Sequence, residues 1–256
     1  MKEIFSSGGG TQSTYIAVLI LQGRLPRPDV SVIIDTERER SAVWEYFERW
    51  TKPAFEKAGM EFHRVKKSQF TDIDLWSGKD GNTLEIPAFT NQTGEIGKLP
   101  NFCSHEWKTR VMNRFVRSLG IPTKLQKRWI GFSTNEKRRV NRILLGEEFK
   151  KGRIRLPLVH DIPTTREEAI QGVLDFGWPM PPRSACWMCA NQQDEEWIDL
   201  KDNWPADFEE ACKLDESMRE RDPFAFLHSS CVPLREVKFE TRPDDERQCG
   251  SGGCFV

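Results

Sequence analysis

The sequence contains no long apolar run and no excess of charge of one sign. No stretch approaches the roughly 20 consecutive apolar residues that a helix needs to cross a bilayer, and the N-terminus lacks the basic and then apolar pattern of a secretory signal. Lys+Arg 38 and Asp+Glu 39 give a formal net charge of -1, so no bulk field attracts nucleic acid. These absences predict a soluble, cytoplasmic protein with no membrane partner.

The sequence also lacks a set of Ser, His and Asp residues that would indicate a nucleophilic triad. Of its four histidines, His63 and His160 lie next to predicted strands and are interpreted as packed or surface residues. His105 and His228 each lie near a cysteine and are candidate metal ligands.

An alternation of strand and helix patterns is present instead. β-branched and apolar runs predict strands over 2–6, 29–35, 60–65, 127–132 and 154–159. Apolar residues at helical spacing predict helices over 12–24, 39–58, 106–120, 134–146 and 164–176. This order predicts an α/β domain over 1–177 with a central, mostly parallel five-stranded sheet flanked by helices.

Two segments depart from this alternation. Residues 68–101 are rich in Gly, Asn, Thr and Lys with weak periodicity, which indicates an irregular insertion or a mobile lid. After Gly177 the residues Pro, Trp and Cys become frequent, which predicts a helical, cysteine-containing appendage over 178–256. Its helices are expected at about 193–201 and 205–220.

The stretch "SSGGGTQST" joins the first predicted strand to the first predicted helix. Amides at a helix N-terminus are unpaired and lie at the positive end of the helix dipole, so a phosphate binds well there. Glycines let the backbone approach a phosphate and hydroxyls add donors. The candidate nucleotide-binding residues of the loop are Gly8, Gly9, Gly10, Gln12, Ser13 and Thr14. The loop has neither the P-loop spacing with its Lys nor the Gly-x-Gly-x-x-Gly spacing. The alternative is a flexible strand-to-helix turn.

The second predicted strand ends in "IIDTERER", which places Asp35, Thr36 and Glu37 at the same rim of the sheet. Ligands of open α/β sheets bind outside the carboxyl ends of the strands. Asp35 and Thr36 are therefore candidate nucleotide-binding residues.

Together, "SSGGGTQST" and "VIIDTERE" resemble the PP-loop pyrophosphatase superfamily of the adenine nucleotide alpha hydrolases. The phosphoadenosine phosphosulfate reductase-like proteins of phages and bacteria are the branch that it resembles most. The resemblance implies a Rossmann-like, HUP-type fold that binds ATP with Mg²⁺, with Asp35 near the nucleotide or its magnesium. The usual family loop reads Ser-Gly-Gly-Lys-Asp-Ser, but Thr11 and Gln12 stand here in place of Lys and Asp. That departure counts against metal-assisted handling of pyrophosphate.

Three further segments resemble this family, in its order. "FCSHEWKTR" resembles a Cys-Thr-x-x-x-Lys segment, which implies Cys103, Lys108 and Arg110 as site residues. "WIGFSTNEKRRV" resembles an Ile-Gly-x-x-x-x-Glu turn, which implies Glu136. "SACWMCANQQDEEWIDLK" resembles a Ser-x-Cys-x-x-Cys-Pro segment, with Ala190 where proline is common.

The sequence has seven cysteines, and in a cytosolic chain of this size a Cys-x-x-Cys pair indicates metal or redox chemistry before structural disulfides. Cys186 and Cys189 lie within one turn of each other, and Cys103 and Cys231 are the candidate third and fourth ligands. The resemblance favours a 4Fe-4S iron–sulfur cluster, with zinc as the alternative that the sequence leaves open. Small buried residues or a lone dithiol are a further interpretation, and Cys212 is predicted to be a core residue.

The C-terminal "RQCGSGGCFV" contains two more cysteines. Cys249 and Cys254 are interpreted as a mobile redox or sulfur-relay pair, with a disordered end as the alternative.

Basic residues cluster in and after the predicted helix over 106–120. They are Lys108, Arg110, Arg114, Arg117, Lys124, Lys127, Arg128, Lys137, Arg138 and Arg139. The cluster is suited to the phosphates of a sulfonucleotide or a nucleic-acid backbone, and a solvated helix face is the alternative.

The resemblance implies, as the leading hypothesis, an enzyme that uses ATP to adenylate an acceptor, releasing pyrophosphate before a sulfur or other nucleophile displaces AMP. Lys108 and Arg110 would offset negative charge in the transition state. The acceptor would be a tRNA or DNA base or a nucleotide, and a homodimer is compatible with the pattern.

Two alternatives remain. A sulfonucleotide reductase would use Cys249 to attack sulfur, although "RQCGSGGCF" only partly matches that family's Glu-Cys-Gly-Leu-His motif. A non-catalytic nucleotide- or nucleic-acid-binding module with a structural zinc knuckle is supported by the missing Lys and Asp of the loop.

Overall fold

The computed structural model describes residues 1–240, so the predictions for Cys249 and Cys254 lie outside the described residues. The chain forms two compact units, neither of them continuous in sequence. Unit 1 comprises Met1–Glu37, Ala42–Phe70 and Val111–Ser184. Unit 2 comprises Arg38–Ser41, Thr71–Arg110 and the chain from Ala185 onwards.

Unit 1 is built on a parallel sheet. Its strands are β1 (Lys2–Ser7), β2 (Val30–Asp35), β3 (Phe62–Lys66), β8 (Gln126–Trp129) and β9 (Ile154–Arg155). The strand order is β3-β2-β1-β8-β9, and every neighbouring pair is parallel. The predicted α/β class and five-stranded sheet are therefore confirmed.

Helices flank this sheet. They are α1 (Thr11–Leu21), α2 (Ser41–Tyr46), α3 (Lys52–Lys57), α4 (Arg110–Ser118), α5 (Lys137–Leu145), α6 (Glu147–Lys150) and α7 (Arg166–Asp175). A π-helical turn, Phe47–Thr51, joins α2 to α3, so the helix predicted over 39–58 is interrupted once. The Thr165 hydroxyl and the Glu168 carboxylate form a capping box at the start of α7, which satisfies two amides of the first turn.

Alternating residues of the strands form two separate cores, one on each face of the sheet. Phe5 and Ile33 pack with apolar residues of α1, α3 and α7. Ile4 and Val32 point to the other face and pack with residues of α4. Because both faces are covered, the central strands are apolar on both sides, as parallel sheets require.

The strand predicted over 154–159 is shorter in the structure. It ends at Arg155, and a π-helical turn runs from Pro157 to Asp161. Proline has no backbone N–H to donate to a neighbouring strand, so pairing stops before it.

Among residues 1–240, unit 2 includes the helices α8 (Asp194–Asn203) and α9 (Pro205–Arg221), close to the predicted bounds, and a π-helical turn, Ser104–Thr109. Its short strands are β4 (Trp76–Ser77), β5 (Thr83–Leu84), β6 (Phe89–Thr90), β7 (Gly97–Lys98) and β10 (Ala225–Phe226). β4 pairs with β5, while β6 lies between β7 and β10. Four of these strands lie in the stretch interpreted as an irregular insertion, which is thus partly paired.

The core of unit 2 gathers residues from distant parts of the chain. Ile86, Trp107, Met188, Trp197 and Leu227 are among its buried members. Cys212 is fully buried in the same core, as predicted. Among the helices of the described residues, none combines the length and the apolar character that crossing a membrane demands.

Candidate functional site: a glycine loop in unit 1 and a cysteine cavity in unit 2

The glycine loop leaves β1 where the sheet changes direction. From β1 the chain passes through α1 to β2 on one side, and β8 lies on the other side of β1. This is the switch point of the sheet, where a crevice opens outside the carboxyl ends of the strands.

Two of the three glycines are required by close packing. Gly9 has φ 74, and a Cβ on it would lie 2.5 Å from Val43 Cγ1. A Cβ on Gly10 would lie 2.9 Å from Ser184 Cβ. Gly8 differs, because a Cβ there would meet only Ser184 Oγ, at 3.6 Å. A side chain at Gly9 or Gly10 would therefore displace a neighbour, whereas one at Gly8 would not.

Helix α1 begins directly after this loop. Gly10 is its N-cap, so no side chain caps the helix, and the first backbone bond across the turn runs from Thr14 N to Gly10 O, at 2.9 Å. The preceding amides of an α-helix have no intrahelical acceptor and attract anions. The loop after β8 passes close by, since a Cβ on Gly131 would lie 3.3 Å from Ser13 N.

The structure brings Gln12 and Glu136 together at this point. Gln12 Nε2 donates to Glu136 Oε2 at 3.1 Å, and Ser133 N donates to the same oxygen at 3.0 Å. Ser13 Oγ donates to Gly10 O at 3.0 Å, so this hydroxyl stabilises the loop itself. Thr14 is buried. Backbone amides, more than side-chain hydroxyls, are thus the donors that a phosphate would meet here.

Asp35 lies buried at the carboxyl end of β2, with Thr36 buried beside it in the chain. Its Oδ2 accepts from the Arg64 guanidinium at 2.8 Å, and its Oδ1 accepts from Glu37 N at 2.7 Å. The guanidinium of Arg64 also stacks 3.6 Å from the ring centroid of Trp44. Both oxygens of Asp35 therefore already have partners, and its role beside the nucleotide or magnesium stays a prediction.

Unit 2 contains a cysteine cavity, which we define by Cys103, Cys186, Cys189, Trp107 and Lys108. The other lining residues are Pro87, Ser104, Ala185 and Met188. The cavity is small, about 20 Å³, and its wall is mainly apolar apart from the thiols and the Lys108 amine. Three of the four predicted metal ligands thus meet at one place, and none of the described cysteines forms a disulfide.

Backbone pairing fixes the Cys-x-x-Cys segment. Glu39 forms an antiparallel bridge with Cys186; Arg40 N donates to Ala185 O at 3.1 Å, and Trp187 N donates to Arg38 O at 2.9 Å. Cys189 N then donates to Cys186 O at 3.1 Å, which closes a turn between the two cysteines.

The side chain of Arg40 also holds this segment in place, through hydrogen bonds within unit 2. Its guanidinium binds the side chains of Gln192 and Asp199, the latter at 3.1 Å, and Glu196 O at 2.8 Å. Burial lowers the pKa of Arg40, against the opposing effect of Asp199. The chain after Cys189 is thereby attached to α8.

Lys108 is paired with a residue that the sequence analysis did not single out. Its Nζ donates to Glu39 Oε1 at 2.7 Å, and Glu39 is almost completely buried. Arg110, predicted alongside Lys108, binds Glu106 in the π-helical turn Ser104–Thr109 that precedes α4 and is more exposed than Lys108. Glu39 lies within "IIDTERER", where four charged residues follow Thr36, and no spacing rule marks one of them as buried.

Cys231 is not among the residues that line the cavity. It is buried with φ 52, and its amide donates to His228 O at 3.1 Å. His228 in turn contacts Ser230 and Asp194. Burial raises the pKa of the Cys231 thiol. Its role as the fourth ligand stays a prediction.

The spacing of the cavity thiols bears on which metal group they suit. Within residues 1–240, no three His, Cys, Asp or Glu side chains are grouped closely enough to hold a single metal ion. The ligands of an iron–sulfur cluster bind different iron atoms and lie farther apart than the ligands of one ion. Three cavity thiols, as thiolates, would supply three of the four ligands of such a cluster, and the neighbouring Lys108 ammonium would offset part of their charge.

Comparisons with known proteins give little beyond this geometry. No protein-family model matches the chain, and no curated protein sequence matches it. Among solved structures, the U34-tRNA thiolase NcsA from Methanococcus maripaludis with its 4Fe-4S cluster is similar, with a TM-score of 0.44 and 15% sequence identity over 94% of this chain and 74% of that chain. At this TM-score the likeness carries no argument about the fold or the activity of this chain.

Proposed function

We propose that this protein is an ATP-dependent adenylating enzyme of the PP-loop type, which transfers sulfur to, or otherwise modifies, a nucleic-acid base or a nucleotide. One observation carries the proposal: the glycine loop enters α1 at the switch point between β1 and β8. Open α/β sheets bind their ligands at such a point, and a helix N-terminus without a side-chain cap favours a phosphate there.

The phosphate chain of ATP is proposed to lie against the first turn of α1. The amides of Thr11, Gln12 and Ser13 would donate to it, and the positive end of the helix dipole would stabilise its charge. Gly8 belongs to the loop that leads into α1 and has no side chain, which would leave room for the phosphate to approach these amides. Glu136 holds the Gln12 amide at 3.1 Å and so orients the start of the helix.

The proposed reaction has two steps. An oxygen of the acceptor attacks the α-phosphorus of ATP, and the bond to the leaving pyrophosphate breaks. A sulfur nucleophile then attacks the activated carbon, and AMP leaves. Fixed dipoles at the helix N-terminus would stabilise charge that develops on the phosphates.

The cysteine cavity is proposed to hold a 4Fe-4S cluster through Cys103, Cys186 and Cys189. When bound, the cluster would supply iron-bound sulfur for the transfer step. Lys108 contributes a positive charge at the cavity wall, which offsets the negative charge of thiolates. Its pairing with Glu39 restrains its Nζ at one place.

A nucleic-acid acceptor is supported by a short basic stretch at the start of α5. Lys137 and Arg138 are exposed and make no ion pair within the part of the chain that is described. Five other members of the predicted basic cluster form ion pairs with carboxylates, among them Arg128 with Glu148 and Lys127 with Glu3. Arg117 and Lys124 are exposed as well. The basic surface for tRNA or DNA is therefore smaller than the sequence suggested.

A second candidate is a non-catalytic nucleotide-binding module. The pairing of Asp35 favours this candidate. Arg64 and Glu37 N already bind its two carboxylate oxygens, which counts against Asp35 as a magnesium ligand. The loop itself also lacks the family's Lys and Asp.

Substitution of Gly8 with Ala tests the nucleotide site without disturbing the loop. The added methyl would make ordinary contact with Ser184 Oγ at 3.6 Å, so the thermal unfolding midpoint should not change. ATP affinity, measured by calorimetry with Mg²⁺, should fall by about tenfold, because the methyl would hold the phosphate away from the amides. A tenfold loss corresponds to about one charge-assisted hydrogen bond. Gly97→Ala in unit 2 is the matched control, since its Cβ would lie 3.7 Å from Thr90 Cγ2.

Equal ATP affinity in Gly8→Ala and the unaltered protein would overturn the loop assignment. Release of pyrophosphate separates the two candidates. With ATP and total tRNA or DNA, the enzyme should release pyrophosphate, whereas the binding module should bind ATP and release none.

A further inference from the structure

Glu39 is a buried acidic residue whose carboxylate contacts residues of the cysteine cavity. Its side chain is 3% exposed. One carboxylate oxygen, Oε2, is buried and makes no hydrogen bond with any residue of the described chain. A buried carboxylate oxygen without a partner is costly, so the arrangement calls for a group that would bind it.

The other oxygen ties Glu39 to the cysteine cavity. Oε1 accepts from Lys108 Nζ at 2.7 Å and lies 3.9 Å from Cys186 Sγ, and both of these residues line the cavity. The backbone bridge between Glu39 and Cys186 fixes this placement. Lys108 thus satisfies one oxygen and leaves the second available for another positively charged partner.

Cys231 is a weaker candidate for the same position. Neither Cys231 nor Glu39 is among the cavity-lining residues, but the Glu39 carboxylate directly contacts two of them, Lys108 and Cys186. Carboxylate oxygen binds iron as well as other hard and borderline metals, so a site of three thiolates and one carboxylate is chemically sound.

We propose that Glu39, through Oε2, is the fourth protein ligand at the cysteine cavity, beside Cys103, Cys186 and Cys189. This inference rests on the proposed function, since it requires the cluster. It replaces Cys231 in that position and assigns a role to a residue outside the sequence motifs that contain the cysteines.

The test uses the full-length protein purified without oxygen and reconstituted with iron and sulfide. Iron and sulfide are counted and the spin-resonance spectrum of the reduced protein is recorded for four chains: the unaltered protein, Glu39→Gln, Glu85→Gln and Cys231→Ser. Glu85→Gln is the matched control, because Glu85 is also buried with an unpartnered Oε2 but its carboxylate binds Ser77 instead of a cavity residue.

The unaltered protein should bind about four irons per chain, as expected of a 4Fe-4S cluster. Glu39→Gln should bind about three and show a changed spectrum, because the fourth iron loses its protein ligand. Glu85→Gln and Cys231→Ser should match the unaltered protein. If Glu39→Gln does not fold, Glu39→Asp keeps the charge but withdraws the oxygen, and its spectrum should change in the same way.

Two results would overturn the inference alone: a Glu39→Gln spectrum and iron content equal to those of the unaltered protein, or a loss of iron in Cys231→Ser instead. If the unaltered protein binds no iron, or binds one equivalent of zinc, the cluster of the proposed function is wrong. The inference about Glu39 is then wrong as well. The iron content of the unaltered protein therefore distinguishes the two failures.

Discussion

The two units treat their buried polar groups in different ways. In unit 1, the buried atoms without hydrogen-bond partners among the described residues belong to the neutral side chains of Asn113, Gln126 and Ser184. The charged residues near the glycine loop and at the end of β2 are paired, as Glu136 is with Gln12 and Asp35 with Arg64. In unit 2, atoms of Glu39, Arg40 and Glu85 are buried without hydrogen-bond partners among the described residues. Unit 1 thus presents backbone amides beside charged residues that are already paired. Unit 2 has buried charge that a further group would satisfy.

The difference separates two ways of preparing a site. A helix N-terminus attracts an anion through its own geometry, so the surrounding side chains only have to maintain the loop. A cavity of thiols and a carboxylate gains most when a positively charged group enters it, because the buried charges are costly on their own. Three substitutions test this contrast, and their expected effects decrease in the order given.

The largest effect is expected from Gly9→Ala in unit 1. The left-handed conformation costs an L-residue about 1–2 kcal/mol, and overlap with Val43 at 2.5 Å adds about 1–3 kcal/mol. Gly23→Ala is the matched control, since Gly23 has φ 71 and open space around it, and it should cost only the conformational term. Denaturant unfolding followed by circular dichroism compares the two. Equal losses would show that contact with Val43 does not constrain the loop.

An intermediate effect is expected from Lys108→Met in unit 2. The substitution leaves the Glu39 carboxylate buried without its partner, which should lower the free energy of unfolding of the metal-free protein by about 3 kcal/mol. Adding Glu39→Gln should recover most of that loss, because the uncompensated charge is gone. Lys213→Met, which removes the exposed pair with Glu210, should cost less than about 0.5 kcal/mol. If Lys108→Met and Lys213→Met were equally mild, Glu39 would not be a buried charge that needs compensation.

The smallest effect concerns pH and Cys212. Burial raises the pKa of this thiol from 9.0 to about 11, so between these values the unfolded chain releases a proton that the folded chain keeps. The resulting stabilisation of unit 2 is complete below pH 9 and is lost as the pH rises, at about 1.4 kcal/mol per pH unit. Over pH 8.5–10 the unaltered protein should therefore lose about 1 kcal/mol more than Cys212→Ala. Parallel pH profiles for the two proteins would contradict this expectation.

Local pattern predicted the elements well and their interruptions poorly. The strands that begin at Lys2 and Val30, and the helices that begin at Thr11 and Pro205, start within one residue of the predicted positions, and the helix from Thr11 ends three residues earlier than predicted. The π-helical turn at Phe47–Thr51 was not predicted, because apolar spacing does not distinguish 3.6 residues per turn from a single wider turn.

The candidate site was predicted in part. Cys186 and Cys189 are recognisable from spacing alone, and the structure places Cys103 beside them. Glu39 was missed, since its burial depends on contacts with Lys108 and Cys186, which are 69 and 147 residues away in sequence. No local pattern indicates that Arg38–Ser41 and Thr71–Arg110 belong to the same compact unit as the chain from Ala185 onwards.

The sequence by itself determined the α/β alternation, the glycine turn before α1 and the presence of a Cys-x-x-Cys pair, because each depends on residues close together in the chain. Only the tertiary structure decided that β1 lies at the switch point, that Gly9 must remain a glycine beside Val43, and that Glu39 adjoins the cysteine cavity. Strand order and burial arise from contacts between distant segments, whose free energy no local pattern contains.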